Sequence, residues 1–315
     1  MALLRGNRNT KVRCEGLLMS TARVAAAATL SRPMAFLALT KPDVSFLVVM
    51  TTLAGYALGT VGPLDWLRMA QTVLGTTFVA AGSSALNHYL ERESDARMRR
   101  TAARPLPSGA LAPSDALWFG SSLAIIGVIE LLVTTNGLTA MLAAATCVTY
   151  LGLYTPLKTR TTLATLVGAF PGAMPPLIGW AAARGGLAPG AWVLFAVLFL
   201  WQFPHFHAIA WMYREDYGRA GIRMLPVVDP EGRATFTQIL VCAAALIPVS
   251  LLAAVTGLAG VHYFFGALVL GMMLVEVCLW AAAQKTNVRA KWLMHATVLH
   301  LPLLLGLMML DKFSR

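Results

Sequence analysis

Asn87, Glu91 and Asp95 stand four residues apart along the chain. On a helix each step of four drifts by only about 40°, so the three side chains line one face over about 12 Å. Their amide and carboxylate oxygens are hard donors of the kind that a divalent cation such as Mg²⁺ selects. Five arginines lie among or just after them: Arg92, Arg97, Arg99, Arg100 and Arg104. Guanidinium groups beside a hard-cation site suit an anion that the metal carries, such as a diphosphate. The preceding run from Ala70 to Leu90 is apolar, which places these groups at the mouth of a membrane helix. Asp95 is expected to face water there and to add little to packing.

Other groups join this cluster. Tyr213-Arg214-Glu215-Asp216-Tyr217 follows a second apolar stretch, and Asp216 is its candidate metal ligand. Tyr154 and Lys158 are four apart with Pro156 between them, which predicts a turn rather than a continuing helix. A lysine ammonium binds phosphate as a point charge; Lys158, Arg160 and Lys41 also fit ordinary basic anchors at span ends. His205, in Trp201-Gln202-Phe203-Pro204-His205, would lie about 16 Å along a helix from Asp216. A polar residue at that depth is a functional candidate by default. The competing partner for the imidazole is a carbonyl freed by a kink at Pro204.

The elements that position these residues are membrane helices. The chain has 315 residues, 57% of them hydrophobic and 12% charged, which excludes an ordinary soluble domain. With about 20 apolar residues per crossing, the pattern predicts an all-α polytopic bundle of about nine spans: 44–62, 66–90, 114–133, 138–154, 162–183, 189–212, 235–256, 261–284 and 292–310. Residues 1–40 are expected to be a basic tail, compositionally similar to a transit peptide, and 41–315 one intramembrane domain. The net charge is +11, but its placement argues against nucleic acid. With the N-terminus inside, 21 of the 25 basic residues fall on the inner side, leaving Arg68, Arg184, Lys312 and Arg315 outside. That is the positive-inside pattern, reinforced by anionic lipid headgroups. Both long loops, 91–113 and 213–234, then face inward and carry acids as well as bases, as a shared site would. The four cysteines are scattered, without a C-x-x-C pair, and read as structural thiols.

The motif residues carry a resemblance. N-x-x-x-E-x-x-x-D, followed by Met98-x-Arg100-Thr101-x-x-Arg104-Pro105, resembles the first acidic motif of the UbiA-type intramembrane prenyltransferases. Tyr154-Thr-Pro-Leu-Lys158, Pro171-Gly172-Ala173-Met174-Pro175-Pro176, Trp201-Gln-Phe-Pro-His205-Phe and Asp216-Tyr217-x-x-Ala220-Gly221 resemble the heme O synthase branch of that family. Five motifs in order, from about Thr40 to Leu310, make this a likeness of nearly the whole chain. It implies helices around a central cavity, with farnesyl diphosphate held through Mg²⁺ by the two inner loops. Metal or diphosphate roles pass to Asn87, Glu91, Asp95 and Asp216, and diphosphate contacts to Arg100, Arg104, Lys158, Tyr154 and Lys41. His205 becomes a candidate ligand of the heme iron.

The implied reaction ionises the allylic diphosphate, and a vinyl group of heme B attacks the farnesyl carbon. Water then quenches the new cation. A heme A synthase or an oxidase assembly factor is the implied recipient of the product, and the implied location is a bacterial inner membrane or the mitochondrial one. Some positions depart from the pattern. Glu91 stands where Asp is commoner, Met212 replaces an acid four residues before Asp216, Asp43 replaces a basic residue, and Ala164 an Asn. A phenolic or quinone-precursor acceptor is the alternative within the family, and a transporter the alternative outside it. Against transport, the acids cluster at one face and the motif region is not repeated.

Overall fold

A computed structural model describes residues 31–314 of the protein. Most of the expected tail, with Cys14 and five of its basic residues, lies outside the described residues, as does Arg315. All regular structure among the described residues is helical. A short helix α1 (Arg32–Leu39) precedes α2 (Pro42–Gly59), α3 (Trp66–Arg97), α4 (Pro113–Thr134) and α5 (Gly137–Val148). Then follow α6 (Ala164–Ala173), α7 (Pro175–Arg184) and α8 (Pro189–Met212). The short α9 (Arg214–Arg219) and α10 (Leu225–Val228) lead to α11 (Arg233–Val255), α12 (Val261–Gln284) and α13 (Asn287–Phe313).

Eight helical segments are long and apolar enough to cross a membrane, counting Gly137–Leu157 and Ala164–Arg184 as one each. The expected ninth span belongs to the 32-residue α3, whose Gln71, threonines and serines dilute its apolar character. Local chemistry starts and stops these helices. The Asp65 carboxylate accepts from Arg68 N–H at the head of α3, 3.0 Å away, and Asn136 caps α5 through Thr139 N–H at 2.9 Å. Proline occupies the first turn of α2, α4, α7 and α8, where its missing N–H costs nothing.

Two expected elements differ. The span near 162–183 is split at Met174, because Pro175 and Pro176 supply no N–H to carry the helix on. The turn expected at Pro156 is instead a π-helical stretch, Thr149–Tyr154, running into a last helical turn, Thr155–Leu157. Thr155 N–H reaches Tyr150 O, five residues back, and its hydroxyl donates to the same oxygen at 3.0 Å. The wider turn lets the chain pass a proline without ending.

Between membrane helices, close packing does the work that water-driven burial does elsewhere. A methyl group at Gly179 of α7 would overlap Thr52 O of α2, and one at Gly55 would overlap Pro176. The backbones of α2 and α7 therefore touch. The carbonyl end of α2 is closed by two distant cations. Arg184 Nε donates to Gly59 O at 2.7 Å, and Lys312 Nζ to Ala57, Leu58 and Thr60 O at 3.1, 2.7 and 2.9 Å. Positive charge is favourable at that end of a helix. Arg68 similarly reaches Thr135 O at 2.9 Å, so each basic residue described at this end of the bundle serves a helix terminus.

The seam yields a test. Gly179→Ala should lower thermal stability in detergent by roughly 1–3 kcal/mol, as overpacking does. Gly186→Ala, which meets nothing within 4 Å, should leave it unchanged. Equal unfolding temperatures for the two variants would refute backbone contact at Gly179.

Candidate active site

The site is built on one face of α3. Thr76, Ala80 and Ser83 line a central cavity of about 320 Å³, and the same face continues through Asn87, Glu91 and Asp95 at helical spacing. The other walls come from α2, α5, α6, α7 and α8, with Lys41, Tyr150, Tyr154 and Tyr217 toward the end where the long loops lie. An apolar chamber thus opens into a polar mouth.

Each acidic or amide group of the mouth already has a cation. Lys41 Nζ donates to Asn87 Oδ1 at 3.0 Å, while Asn87 Nδ2 donates to Thr155 Oγ1 at 3.3 Å. Lys158 Nζ meets Glu91 Oε1 at 2.7 Å and lies 4.3 Å from the centre of the Tyr154 ring. Arg104 Nη1 meets Asp95 Oδ2 at 2.6 Å. The Lys41 pKa is lowered to about 7, chiefly by burial and then by the positive charges of Arg104 and Lys158, with Glu91 and Asp95 acting the other way. Burial also acts against the charge on Lys158, but the Tyr154 phenol and the Glu91 carboxylate outweigh it and hold that pKa above its ordinary value. Lys41 has a left-handed backbone, φ +47°, strained for a residue with a side chain and placed just before a proline. Such strain persists where surrounding contacts over-determine it.

The second loop closes on the first. Asp216 Oδ2 accepts from Arg100 N–H at 3.2 Å, and its other oxygen is paired with Arg219. The Arg100 guanidinium lies 5.0 Å from the ring centre of Tyr213 and 5.9 Å from that of Tyr217. Arg223 N–H donates to Lys158 O at 2.7 Å. Glu215 is exposed, whereas Asp216 is buried.

The sequence pattern of the UbiA prenyltransferase family matches residues 48–301. The protoheme IX farnesyltransferase of Solibacter usitatus is 51% identical over 286 residues, covering 88% of this chain and 98% of that protein. The one of Koribacter versatilis is 46% identical, covering 87% and 92%. The chain belongs to the UbiA prenyltransferase family. Solved structures share the fold at low identity. A digeranylgeranylglyceryl phosphate synthase structure aligns with TM-score 0.75 at 15% identity, covering 91% of this chain and 100% of that one. A UbiA homologue from Archaeoglobus fulgidus with DMAPP and Mg²⁺ bound aligns at 0.60 with 14% identity, covering 87% and 98%.

Among the described residues no three acids, histidines or cysteines converge on one point as a ready metal cage. Asn87, Glu91 and Asp95 follow one face of α3, and Asp216 joins the loop after it through the Arg100 N–H. A Mg²⁺ ion carried by a diphosphate needs only one or two carboxylates, since phosphate and water complete its shell. Asp95 meets that requirement: its Oδ1 is buried without a partner. The donors present in this UbiA member fit the ion.

Two readings need correction. Asp95 does not face water; it is 1% exposed, because Arg104 and the turn through Thr101, whose hydroxyl donates to Asp95 O at 2.8 Å, fold back over it. His205 does not bond a carbonyl freed at Pro204. Helix α8 continues through that proline, and His205 Nδ1 lies 2.9 Å from Thr297 Oγ1. Thr297 spends its only hydroxyl proton on Met294 O at 2.6 Å, so it accepts from His205, which must carry its proton on Nδ1. Nε2 then carries the lone pair. The His205 ring stacks on Trp201 at 5.0 Å, on the flank of α8 toward α13, while Gln202, Phe206 and Ile209 line the cavity.

Sequence reasoning missed Tyr150, whose ring stacks on Tyr154 at 5.5 Å and which stands four residues before it. It also missed His88, which is buried with neither ring nitrogen partnered. The spacing signal was available for Tyr150, and none was available for His88.

Asp95 supplies the test. Asp95→Asn should lose most activity while keeping the fold, since the amide retains shape but not charge. Asp95→Ala should also lose thermal stability, by about 1–3 kcal/mol, because it leaves the partly buried Arg104 guanidinium without its partner. Activity of the Asn variant near that of the unaltered protein, in a prenyl-transfer assay, would remove Asp95 from the site.

Proposed function

We propose that this chain transfers the farnesyl group of farnesyl diphosphate to a vinyl group of protoheme IX, giving heme O. The observation that carries the reading is the continuity of an apolar chamber and a cation-rich mouth along one face of α3. Nearly full-length likeness to protoheme IX farnesyltransferases supports the choice of donor and acceptor.

In this reading the diphosphate enters the mouth, and Lys41, Lys158, Arg104 and Arg100 turn toward its oxygens. That exchange would free Asn87, Glu91 and Asp95, with Asp216 across the loop, to hold Mg²⁺, which would supply positive charge where the leaving diphosphate accumulates negative charge. Tyr154 shapes the approach of Lys158. As the farnesyl C1–O bond breaks, the electron pair leaves with the diphosphate, and the apolar walls shield the allylic cation from water. The heme vinyl group donates its π electrons to C1. Water adds to the cation left beside the porphyrin, and a proton departs.

In the same reading His205 is the candidate ligand of the heme iron, a role supported by its Nδ1–H bond to Thr297, which leaves Nε2 unprotonated. The active mouth and the N-terminus face the inner side of the membrane, as the basic residues direct, and a heme A synthase or oxidase assembly factor receives the product.

The deciding experiment gives the purified protein labelled farnesyl diphosphate with protoheme IX, a phenolic acceptor or a quinone precursor, with and without excess EDTA. Labelled heme O is expected, lost in EDTA and restored by Mg²⁺. Transfer only to a phenol would replace the acceptor, and full activity in EDTA would remove the metal.

His205→Ala should weaken heme binding about tenfold or more, as loss of a fixed imidazole ligand would, and leave farnesyl diphosphate binding nearly unchanged. Heme absorbance and diphosphate titrations separate the two effects. Equal losses for both ligands would reduce His205 to a link between α8 and α13.

A further inference from the structure

Gln202 puts one polar atom on the wall of the apolar chamber. Its Nε2 donates to Ala169 O of α6 and to Leu198 O of α8, both at 3.1 Å. An amide nitrogen has two protons, so both are spent and the two ends of the amide are told apart. The remaining atom, Oε1, accepts from no described residue and is not closed off inside the protein. It stands over Gly172 of α6, where a Cβ would overlap it. Both residues line the chamber, and Gln202 is 3% exposed. Among the described residues of α6 and α8, the one other lining residue with a polar side chain is Thr165. Its hydroxyl is turned away, donating to Met224 Sδ at 3.7 Å. The negative end of a fixed amide dipole therefore borders apolar space without a partner.

The position of that oxygen relative to the mouth follows from α6. Gly168 lies against the Tyr154 ring, and the Lys158 ammonium is 4.3 Å from the centre of that ring. Gly172 is four residues farther from the mouth, about 6 Å along the helix. The Gln202 oxygen thus sits one turn inside a cation that would hold the diphosphate. A prenyl chain anchored there would lay its first isoprene unit beside it. This is the unit that becomes charged: when the C1–O bond breaks, the positive charge is shared between C1 and C3. In surroundings without water an oriented dipole is little screened, and it needs no reorganisation as the charge develops.

We infer that Gln202 is a catalytic residue of the prenyl transfer, its amide oxygen stabilising the allylic cation. The inference rests on the prenyl-transfer reading above and adds a group that serves the opposite charge from the one served at the mouth. The oxygen forms no covalent bond and takes no proton. The electron pair of the C1–O bond leaves with the diphosphate, and the π electrons of the acceptor refill C1. The two bonds from Nε2 hold the oxygen in place, and Gly172 leaves it room.

The test separates binding of the donor from binding of its cation. One probe is farnesyl thiodiphosphate, which resists ionisation. The other is a farnesyl-like ammonium given with inorganic diphosphate, which mimics the separated charges. Gln202→Leu should bind the thiodiphosphate as the unaltered protein does. It should bind the ammonium roughly tenfold or more weakly, the worth of a bond to a charged group. Turnover should fall about a hundredfold, as when one preorganised dipole is removed. Gly172→Ala leaves the amide intact and displaces only its oxygen; it should move the ammonium binding and the turnover in the same direction. This second variant decides the matter if Gln202→Leu does not fold. Equal weakening of both probes would make Gln202 a strut between α6 and α8, and unchanged ammonium binding would remove its oxygen from the reaction. Either result overturns the inference and leaves the prenyl-transfer reading intact. Binding of neither probe by the unaltered protein would overturn both.

Discussion

The structure turns on the neutralisation of charge at one end of α3. Glu91 and Asp95 are largely withdrawn from water, with side-chain exposures of 13% and 1%, and an unpaired carboxylate in such surroundings costs several kcal/mol. Lys158 and Arg104 remove that cost. They come from separate loops, so the pairs also determine where those loops lie. Lys158 fixes the end of the α5 extension, and its carbonyl holds Arg223 of the second loop. Arg104 folds the first loop over Asp95, which brings the Arg100 N–H to Asp216. Charge balance and architecture are one constraint here. In the proposed reaction the same pairs would exchange, a diphosphate offering the cations a more highly charged partner as a metal offers one to the oxygens.

The opposite end is governed by shape. Hydrocarbon solvates an apolar helix face as well as another helix does, so association rests on close contact. The glycines of α2 and α7 let backbones meet, and the carbonyls at the end of α2 are taken up by Arg184 and Lys312. The bundle is tight where nothing must move and open where substrate must enter.

Much of this was legible in the sequence, and the boundary is instructive. The face carrying Asn87, Glu91 and Asp95 could be read because helical period is local. The membrane character, the helical class and the two loops at one end follow from composition and charge placement. The partners of the acids could not be read. Lys158 and Glu91 are 67 residues apart, and Lys41 and Asn87 are 46; no periodicity spans such distances. The burial of Asp95 was misjudged for the same reason, since the cover comes from a loop whose path depends on Arg104. Pro156 misled because a proline rule written for α-helices does not anticipate a π turn.

That π turn joins the local and non-local parts of the site. Tyr150 and Tyr154 belong to the widened segment, and Thr155 at its end accepts from Asn87 Nδ2. Thr155 can accept because its own proton goes back to Tyr150 O, the carbonyl that the five-residue register leaves within reach. Asn87 is thereby oriented with its oxygen toward Lys41 and its amide nitrogen away from the mouth. A regular α-helical register would rotate Thr155 by about 100°, and the amide nitrogen would lose its partner, leaving Lys41, which can only donate, to hold the oxygen end alone. The wider turn, closed by a hydroxyl, therefore joins Lys41 in fixing which atom of Asn87 faces the mouth.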